Sequence, residues 1–78
     1  MIFEQINGPG VLLYDLATKT IFYLNGKCCN LKADPHTGVF TLNIAGQETE
    51  LWFELGPVSI FCDANRTPVY RACIMPQP

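Results

Sequence analysis

Turn signals punctuate this short chain so regularly that it reads as one continuous run of antiparallel strands. Asp15-Leu16-Ala17-Thr18-Lys19, Asp34-Pro35-His36-Thr37-Gly38 and Asp63-Ala64-Asn65-Arg66-Thr67 each begin with an aspartate able to hydrogen-bond its own turn. Asn25-Gly26 suits the positive φ angles of a two-residue hairpin. Between the signals lie runs of β-formers, and no segment carries a helical period. The runs predict strands at Ile2 to Ile6, Val11 to Leu16, Thr20 to Leu24, Lys27 to Ala33, Val39 to Ile44, Thr49 to Leu55, Val58 to Cys62 and Val69 to Ile74. Short connections favour antiparallel neighbours, so sequential hairpins in an up-and-down meander are expected.

Register decides which side chains face inward, because a one-residue slip turns a strand over. Leu24 opposite Lys27 sets Phe22 beside Cys29, and the loop after Asp34 sets Leu31 beside Leu42. A four-residue loop after Ile44 sets Leu42 beside Leu51 and Phe40 beside Phe53, and Gly56-Pro57 as a tight turn sets Phe53 beside Ile60. The inward face then gathers Phe22, Leu24, Cys29, Leu31, Ala33, Phe40, Leu42, Ile44, Leu51, Phe53, Leu55, Val58, Ile60 and Cys62. A bulged last hairpin adds Tyr70, Ala72 and Ile74 and keeps Arg71 out of the core. Leu12, Tyr14 and Leu16 are the preferred inward set of the second strand.

Such a face, with no helix to cover it, must bury itself. The expected fold is therefore all-β, a single domain over residues 1–78, with seven or eight short strands curled into a small barrel or a two-layer sandwich. Hydrophobic residues make up 49% of the chain and charged ones 15%, against about 25% charged in an average globular protein. So short a domain must then show apolar atoms at its surface, which points to self-association or a partner.

The outward face begins with Val11, Leu13, Ile21 and Tyr23, turns polar, and ends with Trp52, Phe61 and Arg71. Trp52 opposite Phe61, and Phe61 opposite Arg71, would display an aromatic pair beside a guanidinium, residue types that dominate binding hot spots. Glu50, Glu54 and Asp63 would give this row an acidic border. Cross-strand packing alone accounts equally for an aromatic pair. The apolar stretch Val11, Leu13, Ile21 and Tyr23 is a second candidate interface unless Ile2 to Ile6 folds back over it.

Equipment for chemistry is sparse. Five basic residues, Lys19, Lys27, Lys32, Arg66 and Arg71, are scattered, and the net charge is -2, which disfavours nucleic acid. His36 is explained by its turn, Ser59 has no base near it in sequence, and no glycine-rich phosphate loop opens a helix. The four cysteines lack the close pairs of a structural zinc site, so neither metal nor cofactor is expected and the thiols are read as free. With no basic start and sustained apolar stretch in Met1 to Gly10, a soluble cytoplasmic protein without membrane contact is the expectation.

The leading functional expectation is a non-enzymatic protein-interaction module that binds a protein partner through Trp52, Phe61, Arg71, Glu50, Glu54 and Asp63. It would act as an inhibitor or accessory subunit on a larger complex, of the kind mobile elements make against host machinery. The alternatives are a homo-dimer or higher oligomer assembling through edge strands, and a carrier of a small apolar ligand.

Overall fold

The computed structural model describes residues 1–44 and 46–73. Eight strands form one antiparallel sheet: β1 (Ile2–Gln5), β2 (Val11–Asp15), β3 (Thr20–Leu24), β4 (Lys27–Lys32), β5 (Val39–Ile44), β6 (Gln47–Glu54), β7 (Ile60–Cys62) and β8 (Pro68–Ala72). The sheet curls into a nearly closed barrel, the all-β class that the turn spacing predicts. Each of the three aspartates holds its own turn. Asp15 accepts from Ala17 N–H and the Thr18 hydroxyl, Asp34 from His36 and Thr37 N–H, and Asp63 from Asn65 and Thr67 N–H. Asn25 and Gly26 take φ values of 50° and 83°, the paired positive angles of a two-residue hairpin.

The meander closes where sequence reading leaves it open, and opens where that reading closes it. Strand order is β4-β3-β2-β1-β8-β7-β6-β5, so the first and last strands pair while, among the described residues, β4 and β5 form the two free edges. Around the β1/β8 ladder, Ile6 N–H donates to Val69 C=O and Cys73 N–H to Ile2 C=O. The predicted pairing of Leu31 with Leu42 is thus corrected: a bond from Asp34 N–H to Val39 C=O joins the bases of β4 and β5, and among the described residues no ladder follows it. Physically, β1 and β8 carry only Glu4 and Arg71 as charged residues, and pairing them with each other removes two poorly protected edges.

Two departures in register show how side-chain parity governs the core. The β5–β6 connection is a two-residue turn closing Ile44 on Gln47, so Phe40 pairs with Leu51 instead of Leu42. That difference of two residues leaves the inward parity unchanged, and Phe40, Leu42 and Leu51 are all buried. The β6–β7 connection runs over five residues, Leu55 to Ser59, and pairs Phe53 with Phe61 and Trp52 with Cys62. Here the difference is one residue, and the strand turns over. Phe61, expected outside, is 0% exposed; Leu55 and Val58, expected inside, stand out in the loop. Val69 is an extra residue in β8 that brings Tyr70 opposite Phe61, so Tyr70 and Ala72 still face the core and Arg71 still faces out.

A third correction lies in β3. Tyr14 pairs with Ile21 and Leu13 with Tyr23, which makes Phe22 an extra, bulged residue. Ile21 enters the core at 0% exposure, and Phe22 is turned out at 46%. Leu12 and Tyr14 are inside as expected, while Leu16 is exposed in its turn. The inward expectations for Ile74 and for the Ile44 side chain fall outside the described residues.

Phe61 is the hub of the core. Its ring lies 4.9 Å from Phe3, 5.2 Å from Tyr14, 5.3 Å from Phe53 and 5.7 Å from Phe40, centroid to centroid, mostly edge to face. These are the spacings at which aromatic quadrupoles attract.

Candidate functional site

The outer surface offers two regions, and neither is the row predicted from sequence. The first surrounds Trp52, which is half-buried on β6 opposite Cys62. A hollow of about 280 Å3 is lined there by Trp52, Glu54, Cys62, Asp63 and Arg66, among others. Arg66 sits in the Asp63 turn with φ 61°, and this left-handed conformation directs the chain back so that its guanidinium lies 3.6 Å from Glu54 Oε1. The Cys62 thiol donates to the same carboxylate oxygen at 3.6 Å.

Burial pushes the Cys62 thiol up from its ordinary pKa, and the Glu54 charge adds to that effect. A thiol held protonated and 1% exposed is a packing group, not a nucleophile. Among the described residues, no three His, Cys, Asp or Glu side chains gather as a metal site.

Of the six residues predicted for docking, Trp52, Glu54 and Asp63 come together in this hollow. Phe61 does not, because the odd shift between β6 and β7 puts it in the core. Arg71 pairs with Glu4 at 3.0 Å, two strands from Glu54 along the outer row Glu54, Ile60, Arg71, Glu4. Glu50 is exposed opposite Thr41, on the β5 side of β6. Sequence reasoning missed Arg66, whose signal was its place late in an aspartate-led turn, where a positive φ is needed.

The second region covers β1, β2 and β3. Ile2, Leu13 and Tyr23 form one outer row by direct pairing, with Val11 and the bulged Phe22 on the same side. Ile2, Val11 and Phe22 are exposed, and Leu13 and Tyr23 are half-buried. The expectation that the first strand folds back over this stretch is corrected: β1 pairs edge to edge with β2 and extends the apolar surface instead of covering it. Phe22 takes the place that sequence reading gave to Ile21. At the end of the barrel the surface runs into a hollow of about 600 Å3 bounded by Gln5, Pro9, Gly10, Val11, Tyr23 and Asn25.

Below that hollow a polar network ties two turns to β8. Asn25 Oδ1 accepts from the buried Tyr70 hydroxyl at 3.0 Å, and Gln5 Oε1 accepts from Gly10 N–H at 3.2 Å. Gln5 N–H donates to Gly10 C=O and Asn25 N–H to Val11 C=O, both at 2.8 Å. The wall of the hollow is therefore held by hydrogen bonds within the chain.

Burial raises the pKa of Tyr14, Cys29, Cys62 and Tyr70 together. For each, the folded state holds its proton to higher pH than the unfolded state, so stability is whole below the unfolded pKa and declines above it. The melting temperature should therefore be level near neutrality and fall from about pH 9 upward, as unfolded thiols and then phenols ionise. Thermal melts at constant ionic strength across that range check this; a melting temperature that stays level to pH 11 would contradict it.

Comparison with protein-family models, with curated proteins and with solved structures finds no match. Fold and surface define a class nonetheless: a small antiparallel β-barrel, open along one seam, filled by aromatic rings and apolar on the outside of β1–β3. Among the described residues no helix is long and apolar enough to cross a membrane.

Proposed function

We propose that this chain is a non-enzymatic protein-interaction module, an inhibitor or accessory subunit, and that it docks on a larger protein through the outer face of β1–β3. One observation carries the reading: β3 is bulged so that Phe22 points into solvent beside Ile2, Val11, Leu13 and Tyr23. A contiguous apolar surface containing two aromatic residues, set beside a hollow, suits a hot-spot cluster. Trp52 supports the reading less, because Cys62, Glu54 and Arg66 already occupy its surroundings.

The four cysteines stand as free thiols, which suits a reducing compartment such as the cytoplasm. An apolar-ligand carrier has weaker support, since the ring of Phe61 and its four aromatic neighbours fill the interior.

Ile2→Ser with Phe22→Ser should lower the melting temperature only modestly and leave the fold intact, because both side chains lie outside the core, at 38% and 46% exposure. Partner recovery from the native cell, quantified by mass spectrometry, should drop at least tenfold, a loss of roughly 1.4 kcal/mol or more. Trp52→Ala should leave recovery within about twofold of wild type, a few tenths of a kcal/mol. Undiminished recovery by the double variant, or loss with Trp52→Ala alone, would move the docking face away from β1–β3.

A further inference from the structure

We infer that the seam between β4 and β5 is a receptor groove for an extended segment of another protein, an acidic and apolar strand that inserts as a ninth strand beside β5. The seam is separated from the face proposed for docking by β4, with Asn25 bordering both hollows, and the inference does not rest on that reading.

The backbone of β5 is prepared for such a strand. Asp34 N–H donates to Val39 C=O at 3.1 Å, so Val39 directs its polar groups away from β6. In an antiparallel ladder, alternate residues point the same way, and Thr41 and Asn43 therefore present N–H and C=O to the seam. The closing of the β5–β6 turn by Ile44 and Gln47 is consistent with the same phase. Among the described residues no ladder uses these groups.

The two edges are unlike. β4 is bent by a bulge in which Cys29 and Asn30 oppose the single Phe22, and it carries Lys27 and Lys32, both features that discourage strand pairing. β5 has neither bulge nor charge nor proline over its six residues, and its register with β6 is unbroken. An unprotected edge facing a protected one, across a gap, selects an added strand that pairs with β5 and meets β4 through side chains.

Side-chain chemistry specifies that strand. The gap opens as a hollow of about 300 Å3 with Leu24, Cys29, Leu31 and Leu42 in its wall, where inward apolar residues would land on the core. Lys27 and Lys32 are exposed, and the ion pairs among the described residues, Arg66 with Glu54 and Arg71 with Glu4, involve neither. Acidic residues at the alternate, outward positions of the strand would complement both lysines. Main-chain bonds would supply affinity and the alternation specificity, as in other strand-addition complexes.

The test uses the whole chain and a short capped peptide alternating valine and glutamate. On saturation, exchange of the Thr41 and Asn43 amides should slow at least tenfold in NMR hydrogen exchange, while amides already bonded to β6 change little. Thr41→Pro removes a seam-facing donor and none of the bonds to β6, a position where an edge strand tolerates proline. It should weaken the peptide about tenfold or more. The same peptide N-methylated along the edge facing β5 should fail to bind the wild-type protein, which gives a control free of any folding defect in the variant.

Lys27→Glu with Lys32→Glu should weaken the glutamate peptide and favour its lysine counterpart. Absence of binding, equal binding of the N-methylated peptide, or unchanged exchange at Thr41 and Asn43 would each overturn the inference. So would concentration-dependent protection of those two amides without peptide, since the occupant would then be a second copy of this chain. Ile2→Ser alone, on a strand three removed from β4, should bind the peptide like wild type, which separates failure here from failure of the docking face.

Discussion

Phe61→Ala should destabilise the protein by about 3–5 kcal/mol, the range for truncating a buried phenylalanine. A domain of this length has a total near 4–12 kcal/mol at ~0.05–0.15 kcal/mol per residue, so the variant should sit at the edge of unfolding at room temperature. The reason is position. The ring is 0% exposed and packed among four others, so its loss leaves a void at the centre of the core. Ile60→Ala next to it should cost far less, about 1 kcal/mol, because Ile60 is half-buried on the outer row between Glu54 and Arg71. Urea titration of both variants gives the two values from midpoints at constant slope. The order of the pair tests the β6–β7 register directly: with Gly56-Pro57 as a tight turn, Ile60 would be the costly residue and Phe61 the tolerant one.

That contrast also shows what could be read from the chain and what could not. Aspartate-led turns and Asn25-Gly26 are local devices, complete within five residues, and they form as their chemistry requires. Strand existence follows from them, and so does the all-β class. Loop length is less local. Gly46 with φ 81° makes a two-residue turn where four residues were expected, without effect on the core because the difference is even. Pro57 invites a tight turn, yet the chain uses a five-residue loop, and the odd difference exchanges Phe61 for Ile60.

At β3 the residues that trade places, Ile21 and Phe22, are both apolar, so hydrophobicity carries no information about the bulge between them. Pairing of β1 with β8 joins segments more than sixty residues apart, beyond the reach of any turn signal. Within the Trp52 hollow, Trp52, Glu54 and Asp63 were legible as an outward aromatic with acidic neighbours. Arg66 was not, because its place depends on a backbone conformation in the turn rather than on strand alternation.

Gly10→Ala should destabilise by about 1–3 kcal/mol, the cost of leaving a buried polar group without its partner. Backbone conformation alone argues the opposite. Gly10 is not among the residues with positive φ, and glycine-to-alanine changes at compatible positions stabilise by about 0.4–1 kcal/mol through the unfolded chain. What decides the sign is the space above Gly10, where an added Cβ would overlap Asn25 Oδ1 and Gln5 Oε1. Gln5 can swing aside into solvent. Asn25 cannot do so without releasing the Tyr70 hydroxyl, which belongs to a residue only 3% exposed.

Gly56→Ala is the internal control, because a Cβ there meets only Val58 C=O, at an ordinary 3.7 Å, and the change should be neutral or slightly stabilising. Tyr70→Phe completes a double-mutant cycle: removing the hydroxyl should cost about 1 kcal/mol in the wild type and close to nothing beside alanine at position 10. Additive effects in that cycle, or a Gly10→Ala protein as stable as Gly56→Ala, would mean that the end wall of the barrel is not held by the hydrogen bond from Tyr70 to Asn25.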